Sequence, residues 1–358
     1  MQLPFLKIGD LVANVPIIQG GMGIGVSLSR LASAVANEGG VGTISGVQIG
    51  FREPDFETNT NAANIRGLKK EIKKARELSP SGILGVNIMV AINNYKDMVT
   101  AAVEEKVNLI VSGAGLPTDL PGMIKESKTK IAPIVSSGKA AAIISKLWDR
   151  KYDYAPDMMI VEGPEAGGHL GFSLEQLTQE TKPKLVDLVK DVIQAIKPFE
   201  DKYNKTIPVI AAGGIYNGSD IAECLKAGAA GVQMATRFVA TEECDADIKY
   251  KEAYIHAKEQ NIQLVKSPAG LPGRAIGNVF VKKTEIGNVP VQKCYHCLRT
   301  CEPATTPYCI SKALIEAVKG NVENGLIFVG SSAHKIEKLT TVKELIQELI
   351  HETKLALE

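Results

Sequence analysis

Four groups of residues in this chain have types and spacings that chemistry could use. His169 lies in Glu165-Ala-Gly-Gly-His169-Leu-Gly171. An imidazole with an ordinary pKa of about 6.5 can move protons near neutrality, and the flanking glycines leave it uncrowded. Taken alone, the same residue also reads as a loop histidine hydrogen-bonded for structure. The second group is Ala211-Ala-Gly-Gly214 with Gln233-Met-Ala-Thr-Arg237. Glycines let backbone N–H groups come close to an oxyanion, and the Thr236 hydroxyl adds a donor, so a phosphorylated ligand is expected there. The third group is Cys294, Cys297, Cys301 and Cys309, four of the six cysteines. Four thiolates within so short a segment suit zinc or an iron–sulfur cluster, while redox-sensitive or simply buried thiols fit the same spacing. Arg274 closes the stretch Ala269-Gly-Leu-Pro-Gly-Arg274. There a fixed guanidinium could meet an anionic substrate or phosphate.

Elements that could position these groups are legible in the glycine pattern. Eight short runs rich in Val and Ile each end near glycine or a small residue: 15–23, 39–46, 83–89, 107–115, 130–138, 157–163, 207–214 and 230–238. Between them lie segments with helical spacing, such as LSRLASAVANEGG, IRGLKKEIKKARELS and PKLVDLVKDVIQAIKPF. Eight strand–helix alternations predict a closed (β/α)8 barrel, an α/β fold whose loops gather at one face. An open doubly wound sheet alternates in the same way, but the count of eight and the recurring glycine ends favour closure. The long segment from Gly163 to Lys182 is expected to lie over the site, because long loops in compact domains are usually functional.

From about residue 245 the alternation stops. Residues 1–244 are therefore read as the barrel. Residues 245–358 are read as a helical, cysteine-containing appendage that packs on it and helps cover the site. Its last helix starts at Thr341-Val-Lys-Glu344, the pattern of a capping box.

Composition narrows the classes further. The chain has 358 residues with 41 Lys+Arg against 40 Asp+Glu, a net charge of +1. So even a balance leaves no basic footprint for nucleic acid. No apolar run is long enough to span a bilayer, and the N-terminus lacks a basic start followed by an apolar stretch. A cytoplasmic enzyme acting on small molecules is expected, with no membrane or nucleic-acid partner and with a homodimer left open.

The ordered set PIIQGGMG, GVNIM, EAGGHLG, IPVIAAGGI and GVQMATRF resembles the nitronate monooxygenase family, formerly 2-nitropropane dioxygenases, which includes flavin-dependent enoyl-acyl-carrier-protein reductases. The resemblance covers residues 1–240 and implies a TIM barrel holding FMN without a covalent link. It also implies that Gly20, Gly21 and Met22 line the flavin and that Asn87 bonds its ring. Gly167, Gly214, Gln233, Met234, Ala235 and Thr236 would complete the cradle. Where family members often have Gln, this chain has Glu162, a carboxylate that accepts from the flavin but donates only when protonated. The resemblance makes His169 the base for a nitroalkane or the partner of an anionic nitronate. The implied reaction is a flavin monooxygenase (dioxygenase) type oxidation, using oxygen to give a carbonyl compound and nitrite. The alternative within the same motifs is NAD(P)H-dependent reduction of an enoyl thioester or quinone. A barrel isomerase or aldolase without flavin is a third class.

Overall fold

The structure, a computed structural model, describes residues 3–179 and 181–358. Eight parallel strands close into a barrel: β1 (Ile17–Gln19), β2 (Val41–Ser45), β3 (Ile83–Met89), β4 (Leu109–Gly113), β5 (Lys130–Val135), β6 (Met159–Glu162), β7 (Val209–Ala212) and β8 (Gly231–Met234). Closure is made by β8 against β1, with Val232 opposite Ile17 and Met234 opposite Gln19. All eight fall inside the runs read from the sequence, as expected for strands walled on both faces and so apolar throughout. Every residue of β2 and β4 is buried.

Helices Ser29–Asn37, Thr60–Leu78, Tyr95–Glu104, Gly138–Tyr152, Leu185–Tyr203 and Gly218–Lys226 occupy the connections. After β4 the connection holds only one helical turn, Leu120–Met123. Two of the helices begin with side-chain caps. Ser137 accepts from the Ala140 N–H, and Asn217 forms a reciprocal box with Asp220. These contacts satisfy N–H groups that have no partner inside the helix. Helix Ser29–Asn37 presses so closely on β2 that a Cβ on Gly42 would lie 1.8 Å from the Ala32 carbonyl oxygen.

The amino-terminal end of the barrel is stoppered. A hairpin, Leu6–Ile8 with Leu11–Ala13, turns through Gly9 at φ +60°. Its buried Leu6, Ile8 and Ala13 join Ile18, Val41, Leu109, Ala132, Met158 and Ile210 in one apolar cluster inside the barrel. Lys130, at the start of β5, reaches Asp10 of the turn at 2.6 Å.

Beyond β8 the chain folds back over the other end. Helix Ile248–Ile255 leads to an antiparallel pair, Ile262–Lys266 with Pro272–Ile276, then to helices Val279–Ile286, Ile310–Val318 and Val342–Leu357. The strand pair lies in a segment read from the sequence as helical, and its second strand falls in the Gly/Pro-rich run 267–278. Asp245 begins this segment and fastens it to the barrel layer, its carboxylate accepting from the Leu28 and Leu31 N–H groups at 2.8 and 3.2 Å. The last helix carries the expected capping box, with Thr341 accepting from the Glu344 N–H at 3.1 Å and Glu344 from the Thr341 N–H at 3.0 Å. It packs along Gly218–Lys226, where the Gly218 N–H meets the Glu352 carboxylate at 2.8 Å. Among the described residues, no helix is long and apolar enough to cross a membrane.

Gly42→Ala tests the closest of these contacts. Its methyl group would overlap main chain, which cannot swing aside, so a loss of about 2 kcal/mol or more is expected in urea unfolding at unchanged m-value.

Candidate active site

The carboxyl ends of the barrel strands open into one cavity, walled by residues from both the barrel and the following segment. Barrel strands deliver Gly20, Gly21 and Met22 after β1, Asn87 from β3, Glu162 from β6, Gly214 after β7, and Gln233 with Met234, Ala235 and Thr236 around the end of β8. The loop after β6 adds Gly167 and His169. The structure thus brings these twelve residues, expected from the motifs, to one place. Tyr250, Tyr254, Leu298, Ile310, Leu314, Phe328 and Gly330 share the lining. They come from far along the chain and were not foreseen. Tyr250 and Tyr254 read as ordinary helix spacing, and Phe328 lies in a short apolar run with no polar neighbour to flag it.

The loop carrying His169 is held in place by backbone pairing. Gly168 and His169 form a two-residue strand against Pro272–Ile276, with His169 opposite Gly273, and the Leu170 N–H donates to the Pro272 carbonyl at 2.8 Å. Gly168 sits at φ +75°, a left-handed conformation that glycine tolerates. Gly167 is small for a second reason: a Cβ there would lie 2.6 Å from the Gly330 nitrogen. On its other side the Ser331 N–H donates to the Glu165 carbonyl at 3.2 Å.

His169 is stacked edge-to-face on Phe328, ring centroids 5.1 Å apart, and its Nε2 lies 2.6 Å from Ser267 Oγ. Tyr254 in turn donates its hydroxyl hydrogen to the Phe328 carbonyl. Burial disfavours the imidazolium and pushes the His169 pKa down to about 4. Glu162 has neither a hydrogen bond nor an ion pair among the described residues, and burial raises its carboxyl to about 7.

Two expectations require correction. Arg274 does not line the cavity. Its guanidinium is 5% exposed, donates to the Ala166 carbonyl and faces Glu165 at 3.8 Å, so it braces the histidine loop from behind. The four cysteines do not form a metal centre either. Among the described residues, no three His, Cys, Asp or Glu side chains are grouped so as to hold a metal ion. All four are free thiols, spread over an irregular segment that ends where Cys309 opens helix Ile310–Val318. Cys294 accepts from the His296 N–H at 3.3 Å, whereas Cys297 turns to the cavity wall, where burial raises its thiol to about 11.

The lining has the features a flavin mononucleotide requires. Among the described residues Gln233 Oε1 is buried without a hydrogen-bond partner, so this acceptor, like the lone Glu162 carboxyl, is open to a donor from a ligand. Gly213 and Gly214 adopt φ of +92° and +83°, and a Cβ on Gly214 would come within 2.9 Å of the Glu165 side chain. That turn presents main chain beside Thr236, as a phosphate cradle after the last two strands of a barrel should. Unpartnered acceptors together with an oxyanion cradle in one cavity match the needs of a flavin ring and its phosphate.

Comparison with known proteins agrees with this geometry. The sequence pattern described as nitronate monooxygenase matches residues 6–352. A Mycobacterium tuberculosis protein named (3aS,4S,5R,7aS)-5-hydroxy-7a-methyl-1-oxo-octahydro-1H-indene-4-carboxyl-CoA dehydrogenase is 26% identical, over 94% of this chain and 92% of its own length. A probable nitronate monooxygenase of Staphylococcus aureus is 25% identical, over 79% of this chain and 82% of its own. Among solved structures, FabK from Thermotoga maritima superposes with a TM-score of 0.73 at 28% identity, covering 96% of this chain and 94% of that one. The chain belongs to the nitronate monooxygenase family of flavin-dependent oxidoreductases.

Proposed function

We propose that this protein uses FMN to oxidise alkyl nitronates, and the nitroalkanes related to them by loss of a proton, with oxygen to a carbonyl compound and nitrite. The observation that carries the reading is His169, a half-buried, neutral imidazole fixed on the cavity wall. Gly213, Gly214 and Thr236 would hold the phosphate of the cofactor. Asn87, Glu162 and Gln233 would meet its ring. The bound flavin supplies a two-electron acceptor that oxygen can reoxidise. His169 would take a proton from the substrate or hydrogen-bond to a nitronate oxygen, and its neutrality at pH 7 leaves both roles open while excluding that of a fixed cation. Phe328, Leu298, Ile310 and Leu314 would keep water from the reacting carbon.

A second reading has its own support. Among the described residues no Lys or Arg lines the cavity, and two tyrosines with the apolar side chains from residues 298–328 give part of its wall a surface suited to an acyl chain. The M. tuberculosis relative is named for a CoA thioester. NAD(P)H-dependent reduction of an enoyl thioester, or of a quinone, would use such a space.

One anaerobic comparison separates the two. Propionate 3-nitronate is expected to bleach the flavin rapidly; rapid bleaching by NADH or NADPH and none by the nitronate would reject nitronate oxidation. His169→Ala should keep FMN yet lose about 10²–10⁴-fold in nitroalkane turnover, the usual contribution of a positioned proton-transfer group. Loss of the flavin itself would instead show that the side chain serves the fold.

The two buried titrating groups also make a signed stability forecast. Glu162, about 7 when folded against 4.5 as a free side chain, favours the folded state below pH 4.5 and loses that contribution as pH rises through 7. His169, about 4 against 6.5, works in the opposite sense: unfolding gains a proton below 6.5, so stability falls as pH drops from 6.5 to 4. The two trends oppose one another in the wild type. In flavin-free protein, the Tm of Glu162→Gln minus that of wild type should climb between pH 4.5 and 7. A flat difference would mean that the carboxyl is solvated.

A further inference from the structure

We propose that Ser267 is a positioning residue that fixes His169 in the tautomer with its proton on Nδ1. Both residues belong to one small sheet. In its register Val265 and His169 flank Gly273 on opposite sides, and the chain turns just after Lys266, which brings Ser267 alongside the imidazole. A Cβ on Gly273 would lie 2.8 Å from the Phe328 ring, the same ring that packs on His169, so this strand lies close behind the histidine. The turn itself is braced by Gly270 N–H donating to the Ser267 carbonyl at 3.0 Å and by Tyr308 hydroxyl donating to the Lys266 carbonyl at 2.8 Å.

Counting donors at Ser267 selects the tautomer. A serine hydroxyl has one hydrogen and two lone pairs. One lone pair already receives the Ala269 N–H at 3.2 Å. If Nε2 carried the imidazole proton, it would donate into Oγ as well, and the hydroxyl hydrogen would be left without an acceptor among the described residues. Ser267 is 8% exposed, so solvent offers little relief. Placing the proton on Nδ1 resolves this, since the hydroxyl then donates to Nε2 across 2.6 Å and both Oγ and Nε2 are used. Nδ1 has no protein partner among the described residues, so its N–H is the group that His169 has left for a ligand.

On the nitronate reading proposed above, this decides between the two roles of the histidine. With its lone pair occupied by Ser267, His169 meets the substrate as a neutral donor that steadies a negatively charged oxygen. A nitronate has already lost its α-proton, so its oxidation asks no base of this residue. The positioning of the proton is independent of that reading and can be measured without turnover.

Flavin-loaded protein carrying ¹⁵N-labelled histidine, with His169 assigned by its absence in His169→Gln, reports the tautomer through long-range ¹⁵N–¹H correlations at pH 7. The expected result is a protonated Nδ1 and an unprotonated Nε2 in the wild type, a shift toward the Nε2-protonated form in Ser267→Ala, and return to the wild-type pattern in Ser267→Thr. Nitronate turnover should follow the same order, with kcat about 10–100-fold lower in Ser267→Ala, KM little changed, and recovery in the threonine variant. A wild-type His169 protonated on Nε2, or a tautomer indifferent to Ser267→Ala, would overturn the proposal. If the protein reduces a thioester instead and leaves nitronates untouched, the kinetic arm moves to that substrate while the spectrum still decides the position of the proton.

Discussion

The mouth of this barrel depends on a two-residue strand. Gly168 and His169 are part of a barrel loop, yet their backbone is paired with Pro272–Ile276, a strand contributed a hundred residues later. Main-chain pairing is directional and fixes register, so it places a side chain far more tightly than a free loop would. The left-handed glycine, the Arg274 guanidinium on the Ala166 carbonyl and the Ser331 N–H on the Glu165 carbonyl all serve that pairing. The segment after the barrel is therefore half of the site, even though the barrel supplies most of the cofactor cradle.

Charge at the site is governed by burial. Carboxyl and imidazole are both drawn toward neutrality in a low-dielectric wall. Arg274, a buried cation nearby, serves structure by facing Glu165, and Lys182 meets the same carboxylate at 3.2 Å from the solvent side. What faces the cavity is a set of hydrogen-bonding dipoles and apolar surface, with Gln233 and Glu162 still lacking partners. Such a lining selects by hydrogen-bond geometry more than by net charge.

Much of this was written in the sequence where local rules suffice. Parallel strands buried on both faces are continuous apolar runs, and the turns that follow need glycine, so β1 to β8 announced themselves. The glycines at 20, 21, 167 and 214 are assigned to one cavity through the family resemblance, and all of them lie in loops that follow barrel strands. Non-local pairing left no such trace. Ile262–Lys266 and Pro272–Ile276 are short, the first only half-buried, and a stretch with two prolines and three glycines reads as a loop until its partner is seen. Ser267 and Phe328 matter only through what lies beside them in space. Arg274 and the cysteines show the reverse problem. Residue type and spacing suggested chemistry, but the fold gave the guanidinium two local partners, and among the described residues it groups no three such side chains so as to hold a metal ion.

The hairpin at the other end has a consequence of its own. With Leu6, Ile8 and Ala13 filling the bottom of the barrel, nothing can pass through the molecule. Whatever enters the cavity must come and go across the carboxyl ends of the strands, past the segment that follows the barrel. The layer that seats His169 therefore also stands in the path of every ligand.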